Sequence, residues 1–178
     1  MISNKNDKVN LRAIEYVDLK LIQKWRNMPS IQPFVREYRE MNMSNIEKWY
    51  NSIVNNKEFL FFIIEDLEQT PIGVAGLTYV DFINKHADLH LGLYEKPWGD
   101  FTYGTASIKI LLDYGFNCLN LNKIYAEIYS IDLAKLDLFK INKFKKDAVL
   151  REHYYYNGKY VDSNILSLLK SEYNKENY

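Results

Sequence analysis

Cysteine is almost missing from this sequence: Cys118 is the only one in 178 residues, which excludes an internal disulfide and points to a reducing compartment. Lying between apolar neighbours near the end of an expected helix, it reads as a core residue rather than a nucleophile. Charge of one sign is missing too. With 23 basic and 23 acidic side chains, no long-range field favours nucleic acid or an anionic membrane as a partner. No apolar run approaches the length of a membrane span, no internal repeat is present, and the opening MISNKNDKVN has no apolar signal region. The expectation is a soluble, cytoplasmic protein. At 178 residues the chain has the size of one domain whose core needs neither disulfide nor metal, with polar tails at 1–8 and 174–178.

What is present is a clear alternation of element signals. Val9 to Ile14 reads as a strand, and Asp18 is the expected N-cap of a helix that runs to Trp25-Arg26-Asn27 before Met28-Pro29 breaks it. A second helix is expected over Ser44 to Val54, opened by the Ser44…Glu47 capping pattern, with Trp49 and Tyr50 as core residues. Phe59 to Glu65, Pro71 to Val80 and Ala87 to Tyr94 then form three neighbouring strand signals, an antiparallel meander. A helix to about Cys118, a strand at Lys123 to Tyr129, a helix from about Leu133 to Asn142 and strands around Val149–Tyr156 and Tyr160–Leu169 complete the order. Asn157-Gly158 between the last two is a two-residue hairpin signal. This succession predicts an α+β fold in which a mixed, mostly antiparallel sheet is flanked by helices.

The stretch Asp88 to Phe116 organises the rest. An alternating strand breaks at Pro97-Trp98-Gly99, and a short loop leads to Gly104-Thr105 and a helix with Ile108, Leu111, Leu112 and Phe116 on one face. The first turn of a helix carries N–H groups without partners and a partial positive charge, so a strand-loop-helix of this kind suits an anion such as a phosphate.

With these details the chain resembles the GNAT superfamily of acetyl-CoA-dependent N-acetyltransferases, from Leu11 to Tyr173. Trp25-Arg26-Asn27-Met28-Pro29 is similar to the start of the branch that holds ribosomal-protein N-terminal acetyltransferases and the aminosugar acetyltransferases of pseudaminic acid biosynthesis. Gly92-Leu93-Tyr94…Pro97 and Asn142-Lys143-Phe144 resemble the latter group, and the ending from Val149 to Asp162 suits both. The resemblance implies that Leu91, Gly92 and Leu93 pair with the pantetheine arm of acetyl-CoA, and that the pyrophosphate sits on the amides between Gly99 and Thr105, with Thr102, Tyr103 and Gly104 between them. It also places Asp132 and Phe139 where the family has an Asn and a Tyr that acts as general acid. Phe139 cannot donate a proton, so either the thiolate leaves unaided or a hydroxyl such as Tyr129 or Tyr103 supplies one. Asp100 brings a negative charge close to the diphosphate.

Acetyl transfer to an amine needs a base and a donor for the oxyanion. Strand alternation puts His86, Asp88, His90 and Gly92 on one face and Ala87, Leu89, Leu91 and Leu93 on the other; in the next strand Tyr125, Glu127 and Tyr129 share a face. Asp88 and Glu127 are the base candidates, directly or through water, weighed against solvated or salt-bridged strand residues, with His90 a lesser candidate. His86-x-Asp88-x-His90 is read as a polar strand face, with no metal. Trp25, Arg26, Asn27, Arg36, Tyr38, Arg39 and His90 form the expected acceptor wall, arginines for the phosphates of a nucleotide-linked sugar and aromatics for stacking, against a reading as helix-end packing. The expected reaction is direct transfer from acetyl-CoA to the amine of a nucleotide-linked deoxyaminosugar. Its rivals are a protein N-terminal acetyltransferase and a CoA-binding module without turnover. The C-terminal hairpin offers an edge strand through which a homodimer could form.

Overall fold

Period-two patterning builds most of the molecule. The computed structural model describes residues 8–35 and 39–176. Strands β1 (Asn10–Ala13), β2 (Leu60–Glu65), β3 (Pro71–Asp81), β4 (His86–Leu93), β5 (Lys123–Tyr129), β6 (Lys145–Tyr156) and β7 (Lys159–Leu169) join in one sheet of order β1-β2-β3-β4-β5-β7-β6. The β2-β3-β4 meander is antiparallel as expected, and β4–β5 is the parallel pair in an otherwise antiparallel sheet. The turn between β6 and β7 places Asn157 at φ 48° and Gly158 at φ 78°, the left-handed pair that a two-residue hairpin requires.

Helices cover both faces. α1 (Leu19–Arg26) and α2 (Met43–Ile53) bury Leu19, Ile22, Trp25 and Ile46 against Ile63 and Val74 of the sheet. α3 (Thr102–Asp113) and α4 (Leu133–Ile141) pack Ile108, Leu111, Leu136 and Leu138 against Ala87, Leu89, Leu91 and Leu93 on the opposite face. A short α5 (Lys170–Glu176), not anticipated from the sequence, lays Tyr173 against Phe116 with ring centroids 5.3 Å apart. Among the described residues no helix is long and apolar enough to cross a membrane.

Several local expectations change. α2 is capped by Asn42, whose side chain accepts from the Asn45 N–H at 2.9 Å while Asn45 reaches back to the Asn42 N–H; Glu47 instead accepts from the Tyr16 hydroxyl. The helix that was to reach Cys118 leaves α geometry at Asp113 and continues as a π turn over Tyr114–Cys118. That wider turn leaves Phe116 in the core and Cys118 exposed, so Cys118 is a surface residue. β6 begins at Lys145, four residues before the expected Val149.

Asp18 makes no capping bond into α1; it joins the helix entry to the sheet edge. It accepts from both Arg12 terminal nitrogens at 2.7 and 2.8 Å and from the Glu15 N–H at 2.8 Å, while Arg12 Nε donates to Glu65 at 2.6 Å. Only 6% of Asp18 is exposed. Breaking a buried pair strands the remaining charge, so Arg12→Met is expected to lower unfolding free energy by about 3 kcal/mol in urea titration. Desolvation acts to raise the Asp18 carboxyl, but Arg12 and the Glu15 N–H outweigh it and hold it below the ordinary value. Between the depressed folded value and the unfolded value near about 4, the unfolded state binds more protons. The stabilisation is therefore complete above the unfolded value and lost as pH falls through the folded one. The variant's stability should show a shallower dependence on pH in that acid window.

Candidate active site

The site begins where two strands part. β4 and β5 pair through His86–Lys123, Ala87–Ile124 and Asp88–Tyr125, and no further. Beyond that point β4 stays paired with β3 up to Leu93–Gly73, and β5 with β7 up to Tyr129–Ser163. Each half of the sheet follows its own twist, and a cleft opens between them. The N-terminus of α4 spans the gap: Asp132 caps it by accepting the Lys135 N–H at 3.2 Å.

Two cavities meet in the cleft. One, of about 410 Å³, runs along Leu91, Gly92, Leu93 and Tyr94 to Lys96. The other, of about 530 Å³, is walled by Asp88, Glu127 and Tyr129 from the two strands, and by Trp49, Phe59, Phe61 and Tyr79 from neighbouring elements. Arg26, Phe34, Val35, His90, Asp132 and Lys135 border both. The structure thus brings together Asp88, Glu127, Tyr129, His90, Arg26, Asp132 and the Leu91–Leu93 edge, which lie far apart in sequence.

Their surroundings differ. Glu127, with a side chain 15% exposed, has its Oε1 3.6 Å from His153 Nε2. Tyr129 is buried and stacks on Tyr154, centroids 3.9 Å apart. Desolvation, with the nearby charges of Lys135 and Arg26, lowers His90 to about 3, so His90 is a neutral imidazole at physiological pH; its ring meets Phe61 edge-on at 5.5 Å. Desolvation raises the Asp132 carboxyl, opposed by Lys135. His86, on the same face of β4, sits before the strands part, edge-on to Tyr125 with ring centroids 5.9 Å apart and 3.7 Å from Asp81, and borders neither cavity. Among the described residues no cluster of three or more His, Cys, Asp or Glu could hold a metal.

Other expected site residues stand apart from the cleft. Trp25 is fully buried, donates to Glu95 at 2.7 Å and stacks on Tyr94. Asn27 clasps the backbone of Met41 through both its amide atoms. Arg39 is exposed, and Arg36 and Tyr38 lie outside the described residues. Phe139 is buried against Phe144 with ring centroids 4.8 Å apart and borders neither cavity. Trp49, expected in the core, lines the larger cavity.

The loop before α3 departs from the glycine-cradle expectation. α3 starts at Thr102, after Phe101 at φ 54°, so Tyr103, Gly104 and Thr105 belong to its first turn. The Thr102 N–H is already taken by the Asp100 carboxylate at 2.6 Å, and this bonding holds Asp100 below the ordinary carboxyl value. Gly99 has open space around it, whereas a Cβ on Gly104 would stand 2.6 Å from Leu138, so Gly104 serves the α3–α4 contact. Tyr103 lies under Lys96 at 5.1 Å, and Thr105 Oγ1 accepts from Asn142 at 3.1 Å. Lys135 was missed altogether. Its signal in sequence is faint, a lysine at the third position of an apolar helix.

The profile of the Acetyltransferase (GNAT) domain matches residues 11–165. The chain belongs to the GNAT acetyltransferase family. It is accordingly an N-acetyltransferase, with acetyl-CoA as co-substrate. A spermidine N(1)-acetyltransferase of Vibrio cholerae is 27% identical over 94% of this chain and 96% of its own. The crystal structure of the spermidine N-acetyltransferase from Vibrio cholerae in complex with CoA and spermine superposes with a TM-score of 0.85 at 26% identity, covering 94% of this chain and 99% of that one. The acetyltransferase PseH of Campylobacter jejuni is 25% identical over 76% of this chain and 82% of its own.

Proposed function

We propose that the cleft transfers acetyl from acetyl-CoA, lying along the β4 edge, to a primary amine of a small cationic acceptor of the polyamine class. The observation that carries this reading is the wall of the larger cavity, where the carboxylates of Asp88 and Glu127 stand among Trp49, Phe59, Phe61 and Tyr79. Carboxylates and aromatic faces both attract ammonium groups. The resemblance to the spermidine N(1)-acetyltransferase of Vibrio cholerae supports the same class.

In this reading the arm of acetyl-CoA pairs with Leu91, Gly92 and Leu93. In a strand the N–H and C=O of one residue point to the same side, so Leu91 offers an N–H to the developing oxyanion. Glu127 or Asp88 takes the amine proton, and transfer is direct. Phe139 gives the thiolate no proton; Tyr129, at the cavity wall, is the hydroxyl assigned to that step.

A second reading, a nucleotide-linked aminosugar acceptor, is favoured by Arg26 at the junction of the cavities and by the Gly92-Leu93-Tyr94…Pro97 and Asn142-Lys143-Phe144 details. Free-thiol release from acetyl-CoA with spermidine, nucleotide-linked 4-aminosugars and a short peptide separates them. Turnover on spermidine is the expected result; turnover on the sugars alone would establish the second reading, and turnover on peptide a protein substrate. CoA binding without turnover on any of them would leave a binding module. Because Asp100 occupies the first amide of α3 with a negative charge, Asp100→Asn should tighten CoA binding severalfold in calorimetry.

A further inference from the structure

Lys135 is placed where no other amine of the cleft is. Two lysines border the cavities among the described residues. Lys96 is at the outer end, 3.2 Å from Asp66 and over the Tyr103 ring. Lys135 is at the junction of the two cavities, and its Nζ donates to the Leu91 carbonyl at 3.0 Å. That carbonyl is on the β4 edge that loses its neighbour when β5 turns away after the Asp88–Tyr125 pair. Lys135 therefore fills, with one N–H, the same strand edge that an amide-rich acyl carrier would use.

We propose that Lys135 is a self-acetylation site: with acetyl-CoA along β4 and no acceptor in the larger cavity, the Lys135 Nζ takes the acetyl group. The inference rests on the function proposed above, since it needs acetyl-CoA in this slot. In the step, the neutral amine attacks the thioester carbonyl carbon. A C–N bond forms, the C–S bond breaks with its electron pair on sulfur, and the amine proton passes to the CoA thiolate, so the products are an Nζ-acetyl amide and CoA thiol. No other reactant is required.

Three features favour it. Attack within one complex replaces a bimolecular encounter. Desolvation lowers the Lys135 ammonium below its ordinary value, against the opposing charges of Asp132 and Asp88, which raises the neutral fraction. The product also fits the site in part: an acetylated Nζ keeps one N–H for the Leu91 carbonyl. It adds bulk to the slot and removes the positive charge, and an amide does not return the acetyl group as a thioester does. Modification lies off the reaction path and closes the cleft to the next acetyl-CoA.

The test is to incubate the full chain with acetyl-CoA and no amine, follow intact mass, and map the modified peptide. The expected result is a gain of one acetyl group at Lys135, first order in the complex and at a rate independent of enzyme concentration. Exposed Lys20 and Lys24 should acquire acetyl at least tenfold more slowly. Spermidine should suppress the reaction, and Lys135→Arg, checked for folding by circular dichroism, should abolish the modification at that position. Calorimetry of CoA runs in parallel. CoA binding with Lys135 unmodified, or modified no faster than the exposed lysines, overturns the self-acetylation while leaving the proposed function standing. Absence of CoA binding overturns both.

Discussion

Glu127→Gln should lower kcat for the acceptor amine by about a hundredfold or more, the usual contribution of a positioned base, while CoA binding in calorimetry stays unchanged. The geometry favours Glu127 over Asp88 for this role. Asp88 sits at the last β4–β5 pair, opposite Tyr125, where the strands are still joined. Glu127 lies two residues further along β5, past the point of divergence, level with the free part of β4 that includes His90 and Leu91. It is largely enclosed, and its neighbour His153 at 3.6 Å gives a proton an exit toward the surface. With the thioester proposed to lie beside Leu91, Glu127 is the carboxylate further along the strands toward it, since Asp88 is level with Tyr125. Asp88→Asn is then expected to raise KM for a cationic acceptor more than it lowers kcat. If Asp88→Asn instead shows the larger loss of kcat, the base is Asp88 and Glu127 holds the acceptor's charge.

Gly73→Ala should destabilise the fold by about 3 kcal/mol, the upper part of the range for forcing atoms into a packed interior. A Cβ on Gly73 would stand 2.2 Å from the Gly92 carbonyl oxygen and 3.1 Å from Ile64 Cδ1. The first of these is backbone and cannot rotate away. β3 and β4 would have to separate at the Gly73–Leu93 pair, and this is the end of β4 along which acetyl-CoA is proposed to lie. The variant should therefore lose CoA affinity as well as stability, measured by calorimetry on the folded fraction and by urea titration. Gly99→Ala is the control: nothing lies within 4 Å of a Cβ there, and stability should be unchanged. Wild-type-like stability of Gly73→Ala would show that the strands can separate at no cost.

Neither consequence was legible from the glycines themselves. In sequence, Gly99 and Gly104 stood out because they flank the start of a helix, and Gly73 was one residue of a strand. The structure ranks them anew, with Gly73 and Gly104 hemmed in and Gly99 open, because the need for glycine depends on which distant atoms pass nearby, and that is a long-range fact. Trp25 and Lys135 make the same point. A tryptophan at a helix end and a lysine in a helix's first turn are locally compatible with surface or interior, and only packing against Tyr94 and Glu95, or under the Leu91 carbonyl, decides.

By itself the sequence determined what depends on near neighbours. Period-two alternation defined β2 through β5, with Lys123 and Tyr129 correctly ending the last of them, and Asn157-Gly158 defined the hairpin through its backbone preference. Strand alternation also put Asp88 with His90, and Glu127 with Tyr129, because successive side chains must alternate across a sheet. The tertiary structure decided what depends on two halves of a sheet twisting apart: the cleft, the meeting of Arg26, His90, Asp132 and Lys135 within it, and the burial of Phe139 away from it. Local patterns specify which way a side chain points from its strand or helix. Where two elements diverge, and which side chain fills the space, follows only from how every other element packs.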